Sequence, residues 1–227
     1  MNGIERIQKA LDTERQGRED EGPRAEIKEI FAKDGDQIFA TSAATGNNDD
    51  TLFSEYRLYT FENGRYFTNV LDDERVDTSN IPPNKDGTAR GSGRKFAFWA
   101  YIHHILHTTK TSSDMVEVAG AGGRKLFKEE VNDYRILSFS FGRGSANWNQ
   151  VFDIYEDWDS LDKGIIKIKR SGVGLDTTYA ISTTLKTEEI PENRVPEIAT
   201  LTPIMDYMFG RHGRGVTIQE TTNDGLF

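Results

Sequence analysis

YRILSFSFGRGSANWNQVFDIYEDWDSLDKGIIKIKRSGVGLDTTYAISTTL, residues 134–185, is the stretch whose reading decides the fold. Ile136, Ser138 and Ser140 alternate with Leu137, Phe139 and Phe141, the period-2 pattern of a half-buried strand. Gly142-Arg-Gly144 ends that strand, and Ser145 is placed to cap a helix. Trp148, Val151, Phe152 and Tyr155 then recur at helical spacing, with Asp153, Glu156 and Asp157 opposite, so one short amphipathic helix is predicted. Ile165 to Arg170 alternates again, setting Ile166 and Ile168 against Lys167 and Lys169, so this strand presents a row of cations. Ser171-Gly-Val-Gly174 turns the chain, and Thr178 to Ser182 reads as a strand paired back on it.

Composition narrows the class. The chain has 227 residues, no Cys and a net charge of −9. This predicts one domain with appended arms, no disulfide framework and no thiolate metal site. No apolar run is long enough for a membrane span or a signal core, so a soluble protein of the cytoplasm is expected. The charge is uneven: residues 87–186 carry 14 Lys/Arg against 11 Asp/Glu, whereas both flanks are acidic. A basic middle between acidic ends is compatible with local capture of a polyanion, and equally with ordinary surface variation.

Lys169-Arg-Ser-Gly-Val-Gly-Leu-Asp-Thr-Thr-Tyr179 resembles a pattern of tailed-bacteriophage single-stranded DNA-binding (helix-destabilising) proteins: a basic strand, Arg-x-Gly-x-Gly, then Asp-Thr-x-Tyr. Ile30-Phe-Ala-Lys-Asp-Gly-Asp-Gln-Ile-Phe39 is similar to the opening hairpin of that family. The resemblance runs from about Ile27 to Leu185. It implies an oligonucleotide-binding fold, a host-cell cytoplasmic location, and a role coating DNA in phage replication or recombination. It also implies cooperative contacts through the N-terminal arm. Phage relatives can hold a small zinc site on Cys in the region of residues 71–93; without Cys that site has no thiolate form here.

Taken in order, Ile4, Ile7 and Leu11 predict a helix over residues 1–18, either an arm toward neighbours or a solvated surface helix. Ile27 to Ala40 reads as a hairpin around Asp34-Gly35-Asp36. Glu55 to Phe61 and Arg65 to Val70 flank Glu62-Asn-Gly64, a second hairpin. Its Tyr56, Arg57, Tyr59, Arg65 and Tyr66 interleave rings with cations, as a single strand requires: faces for bases to stack on and charges for phosphates. Core packing of about half of these tyrosines is the competing reading. Leu71 to Gly93 is a polar, flexible excursion. Thr88 to Lys95 lacks phosphate-loop spacing, and nucleotide hydrolysis is rejected.

Arg94 to His107 is the most aromatic run. As a strand it sets Phe96, Phe98, Ala100 and Ile102 on a core face and Trp99, Tyr101 and His103 on a stacking face. His103, His104 and His107 follow no metal-ligand pattern, so no metal is assigned. Thr108 to Gly123 reads as a loop that either closes over a strand or forms a mobile tip. Pro196 to Met208 predicts a helix kinked at Pro203 and stopped by Gly210, followed by a polar tail ending Gly225-Leu-Phe227. That ending resembles the tips by which single-strand-binding proteins recruit replication or recombination enzymes; a tail with no docking role fits equally.

The expected architecture is mainly β with helical additions (α+β), a five-stranded Greek-key barrel of the oligonucleotide-binding type. It divides into a helical arm (1–24), a nucleic-acid-binding core (25–186) and a C-terminal helix and tail (187–227). The expected function is non-enzymatic, sequence-tolerant binding of single-stranded DNA, without cofactor or metal. Stacking is assigned to Trp99, Tyr101, Tyr179 and some of Tyr56, Tyr59 and Tyr66. Phosphate contact is assigned to Arg57, Arg65, Arg94, Lys95, Arg124, Lys125, Arg143, Lys167, Lys169 and Arg170. The alternatives are a virion or assembly protein that turns exposed aromatics toward a protein partner, and a nuclease using Asp153, Glu156, Asp157 and Asp159.

Overall fold

The computed structural model describes residues 26–45, 51–63, 66–84, 89–184 and 188–213. The predicted N-terminal helix, the tail tip and Arg65 lie outside these residues. Among them the chain runs β1 (Gln37–Ser42), β2 (Phe53–Asn63), β3 (Tyr66–Leu71), β4 (Ser92–His107), β5 (Val116–Ala119), β6 (Lys125–Ser140), α1 (Ala146–Trp158), β7 (Ile165–Ser171), β8 (Thr178–Thr184) and α2 (Ile204–His212). The α+β class is as expected, with eight antiparallel strands in one sheet.

β4 organises that sheet. One edge pairs with β6 from Lys95 to His107. The other edge is shared, Ser92 to Phe98 with β2 and Ala100 to Leu106 with β1. β3 extends β2, β5 extends β6, and β7 and β8 extend β1. A strand bordered along its whole length has no exposed edge, which suits the apolar, aromatic run from Phe96 to Ile102.

Among the described residues the ladder does not close into a barrel. β6 and β8 face each other across a seam, where the Phe139 and Tyr179 rings meet edge-on at 5.2 Å. Two devices satisfy the facing edges. Lys28 to Ile30 pairs with β6 at Ile136, with Ile136 N donating to Lys28 O (2.9 Å) and Ile30 N to Ile136 O (3.1 Å). On β8 the Gln150 side-chain amide of α1 stands in for a neighbouring strand, accepting from Ile181 N (2.8 Å) and donating to Tyr179 O (3.2 Å). An amide has one donor side and one acceptor side, as a peptide unit does, so it can pair with a strand edge.

The two stretches that carried the family resemblance meet in space. Gly35 N donates to Arg170 O and Arg170 N to Asp36 O. Gly172 N donates to Asp34 Oδ1 (2.8 Å). Gly172 has φ +85°, and a Cβ there would lie 2.3 Å from Asp176 O, so the turn requires glycine.

Several local expectations are corrected. Ile27 to Ala40 is not a hairpin: its first arm makes a single parallel bridge to β6, and only the second becomes a strand. The presumed loop Thr108 to Gly123 contains β5, because β6 extends far enough to pair with it. Ser145 has left-handed backbone (φ 61°) and makes no side-chain cap; Asn147 N instead donates to Phe141 O. Pro203 separates two elements, a 3-10 turn at Val195–Thr200 and α2, and Gly210 lies inside α2. The excursion after β3 is tied down: Arg90 donates to Pro82 O (3.0 Å) and Thr60 O (2.7 Å), and Arg75 bridges Asp73 and Asp206 (each 2.9 Å).

Both faces of β4 are covered. Phe96, Phe98, Ala100 and Ile102 pack with Leu137, Phe139, Ile166, Ile168 and the Val151 and Ile154 side chains of α1. Ala97, Trp99 and Tyr101 pack with Tyr56, Leu58, Tyr134, Ile136 and the Ile204, Tyr207 and Met208 side chains of α2. Each large side chain so buried contributes about 1.5–3 kcal/mol. No helix among the described residues is long and apolar enough to cross a membrane.

Candidate nucleic-acid interface

The expected stacking face of β4 is not available to bases. Trp99 is 3 % exposed and Tyr101 2 %. Trp99 Nε1 donates to Thr202 O (2.8 Å), and its ring meets Tyr207 edge-on. Tyr101 lies against Tyr134, with the Arg194 guanidinium over both rings. Tyr56, 3 % exposed, bonds its hydroxyl to Ser138, and burial pushes its pKa up. Period-2 alternation predicted two different faces, but it carries no information on whether a distant segment covers the second one.

The remaining rings divide. Tyr59 is half-buried and lines a cleft with Ile81 and Arg90. Tyr66 lies in β3, with its side chain outside the described residues. Tyr179 is half-exposed at the seam. Arg170 is a staple: its guanidinium donates to Ala32 O and to Thr177 Oγ1, fastening the turn to the residues before β1. Its assignment as a phosphate ligand is therefore corrected, because these contacts hold its head group in the fold.

Three groups of cations remain accessible. At the tip before β6, Arg124 is exposed and Lys125 pairs with Glu117 (2.9 Å). On the outer face of β7, Lys167 and Lys169 stand opposite Phe39 and Gln37 of β1. Lys167 Nζ lies 5.4 Å from the Phe39 ring centroid, and Phe39 stacks on His104 at 4.4 Å. A bulge in β4 next to His103 breaks the alternation there. It brings His103 and His104 both within 4 Å of the Glu188 carboxylate (3.7 and 3.8 Å). Burial lowers the pKa of both imidazoles.

The third group combines charge with rings. Cross-strand pairing puts Arg94 beside Arg57 on the α1 side of the sheet, with Glu55 between them. Arg94 grips Glu55 with Nε and Nη2 (2.5 and 2.6 Å), and that hydrogen bonding holds the Glu55 carboxyl below its ordinary range. The same guanidinium lies 4.2 Å over the Phe141 ring. Phe141 stacks on Trp148 (5.5 Å), Trp148 on Phe152 (6.3 Å) and Phe152 on Tyr155 (6.4 Å). Phe152 is 43 % exposed, and with Phe53, Trp148, Val151, Tyr155 and Leu161 it lines a largely apolar cavity of about 170 Å³. Arg143, exposed in the turn before α1, makes no ion pair among the described residues.

The sequence does not mark this run of rings as a site, because Trp148, Phe152 and Tyr155 at i, i+4 and i+7 read as a core stripe. One signal was present: a helix bearing three aromatic rings on a stripe has more apolar surface than a short sheet face can cover. Lys95 points to the opposite side of β4, where it is half-buried and burial lowers its pKa. Asp153, Glu156, Asp157 and Asp159 are exposed, and the described residues hold no cluster of three or more potential metal ligands. No protein-family model matches the chain, and no curated protein or solved structure matches it.

Proposed function

We propose that the protein is a sequence-tolerant single-stranded DNA-binding protein that coats and protects DNA in phage replication or recombination. The observation that carries the reading is the aromatic run Phe141–Trp148–Phe152–Tyr155, capped at one end by Arg94 and exposed to solvent at Phe152. Rings in series beside guanidinium groups match the chemistry of a flexible polyanion with stacking bases, at about 1–3 kcal/mol per stacked base. Arg57, Arg94 and Arg143 supply phosphate contacts there, and Lys167 and Lys169 extend them on the other side of the sheet.

The fold supports the reading. β1 pairs with β4 and β7, β4 with β6, and β7 with β8, while α1 lies between β6 and β7. We read β1, β4, β6, β7 and β8 as the five strands of a partly open Greek-key barrel of the oligonucleotide-binding type. The hairpin β2–β3 and the strand β5 are then insertions.

The test is a titration of intrinsic Trp fluorescence with a deoxythymidine oligonucleotide and with a duplex, across a salt series. Binding of the single strand is expected to perturb Trp148 and to weaken with salt at a log–log slope of about −0.7 per neutralised phosphate. Trp148→Phe removes the signal, whereas Trp158→Phe keeps it. Absence of any response at low salt overturns the proposal. A stable oligomer indifferent to salt, found together with that silence, favours the assembly-protein alternative.

A further inference from the structure

The walls of the cavity on the α1 side are fixed by the fold. Val151 and Leu161, 2 % and 3 % exposed, form its floor, Phe53, Trp148 and Tyr155 are half-buried walls, and Phe152 is the exposed rim. Phe53 is paired with Phe98 across β2 and β4, and the two rings lie nearly parallel with centroids 5.6 Å apart. Trp148 meets Phe53 and Phe96 edge-on at 5.9 and 5.4 Å. Leu161 N donates to Thr45 O (3.2 Å), which holds the turn after α1 in place. Among the described residues no charged side chain lines the space, and the Trp148 indole N–H and the Tyr155 hydroxyl are its only side-chain polar groups. At about 170 Å³ it has room for one six-membered ring, since an apolar cavity of about 150 Å³ takes up benzene. Cationic charge stands outside it: Arg94 lies over Phe141, one ring beyond the Trp148 wall.

We propose that this cavity is a slot for one thymine of the bound strand, entered by the C5-methyl edge, and that it makes the protein prefer thymine to uracil. The inference rests on the single-strand reading above and adds a base preference to it. Stacking on Phe152 alone is indifferent to base identity, because every base has a π-face. An apolar cavity is selective: a base edge that enters it leaves water, and a donor or acceptor without a partner there costs free energy. On the edge in question thymine presents a methyl group, whereas both purines present the N7 acceptor. Uracil and cytosine carry only a hydrogen at C5 and leave the space of the methyl unfilled. Burying that one methyl strengthens binding about fourfold. The neighbouring phosphate stays in water beside Arg94, so charge holds the backbone outside while the base edge goes in.

Deoxythymidine and deoxyuridine oligonucleotides of equal length, titrated against the full chain at one salt concentration, share sugar and phosphate and differ only in the methyl. Deoxythymidine is expected to bind about fourfold tighter, and 5-methyldeoxycytidine to exceed deoxycytidine by the same ratio. Phe152→Ala is expected to abolish the ratio, whereas the Lys167→Ala, Lys169→Ala double variant weakens both ligands and keeps it. Equal affinities, or a ratio that survives in Phe152→Ala, overturn the slot and leave the single-strand reading standing. Failure of every oligonucleotide to bind overturns both. A nuclear Overhauser contact between the thymine methyl and the Leu161 methyls is expected, and a contact confined to rings outside the cavity overturns the slot. Phe152 and Leu161 resonances that shift with protein concentration alone mark the cavity as covered by a second copy, which also overturns it.

Discussion

Along β4, Phe96 and Phe98 look toward α1, while Trp99 and Tyr101 look toward α2. On the α1 side the rings continue outward through Trp148 to Phe152, which remains 43 % exposed. On the α2 side Ile204, Tyr207 and Met208, with the segment before them, shut Trp99 and Tyr101 to 3 % and 2 %. Equally aromatic faces of one strand thus end in different roles, and the covering element decides which. α1 is short and carries more rings than the sheet can take up. α2 brings a small apolar face that the sheet absorbs completely.

That contrast can be broken most sharply at Trp99. Trp99→Ala is expected to cost about 3–5 kcal/mol, because it opens a cavity and leaves Thr202 O without its donor; urea unfolding measures it. Phe152→Ala should leave the unfolding midpoint nearly unchanged and weaken oligonucleotide binding by about 1–3 kcal/mol. A reversal, with Phe152 controlling stability and Trp99 controlling binding, would invert the comparison. Gln150→Ala is expected to destabilise by about 1–3 kcal/mol, since it uncovers Ile181 N and Tyr179 O on the β8 edge. Faster amide exchange at Ile181 is the local readout.

Smaller effects sharpen the picture on the outer face of β1 and β7. The Lys167→Ala, Lys169→Ala double variant should reduce the salt slope of binding by about 0.7 for each phosphate released, with stability almost unaltered. The smallest expected effect is a pH dependence. His103 and His104 have folded pKa values below the ordinary 6.5. The unfolded chain therefore binds more protons, and stability falls as pH drops below about 6.5. Denaturant midpoints at pH 7 and pH 5 check the sign, and His103→Gln should flatten part of the difference.

Local pattern made much of the fold legible. Alternation located β4, the C-terminal part of β6 from Arg135, β7 and β8, the Asn-Gly signal located the β2–β3 hairpin, and the 3.6-residue stripe located α1, because each depends on neighbours in sequence. Within the candidate site, Arg57, Arg94 and Arg143 were named from sequence, while Phe141, Trp148 and Phe152 were not. Arg170 and Lys95 illustrate the opposite failure. Both were assigned to phosphates; the first is fastened to Ala32 O, and the second is half-buried on the face of β4 opposite Arg94.

The sequence by itself determined the class, the aromatic content of β4 and the position of the basic strand β7, since period, composition and turn chemistry are properties of short segments. Tertiary structure alone decided which face of β4 is sealed, which edge borrows a glutamine amide, and which cations stay free. Those outcomes depend on contacts between residues far apart in sequence, from Gln150 with Ile181 to Trp99 with Thr202 and Arg170 with Ala32, and no local periodicity encodes such a meeting.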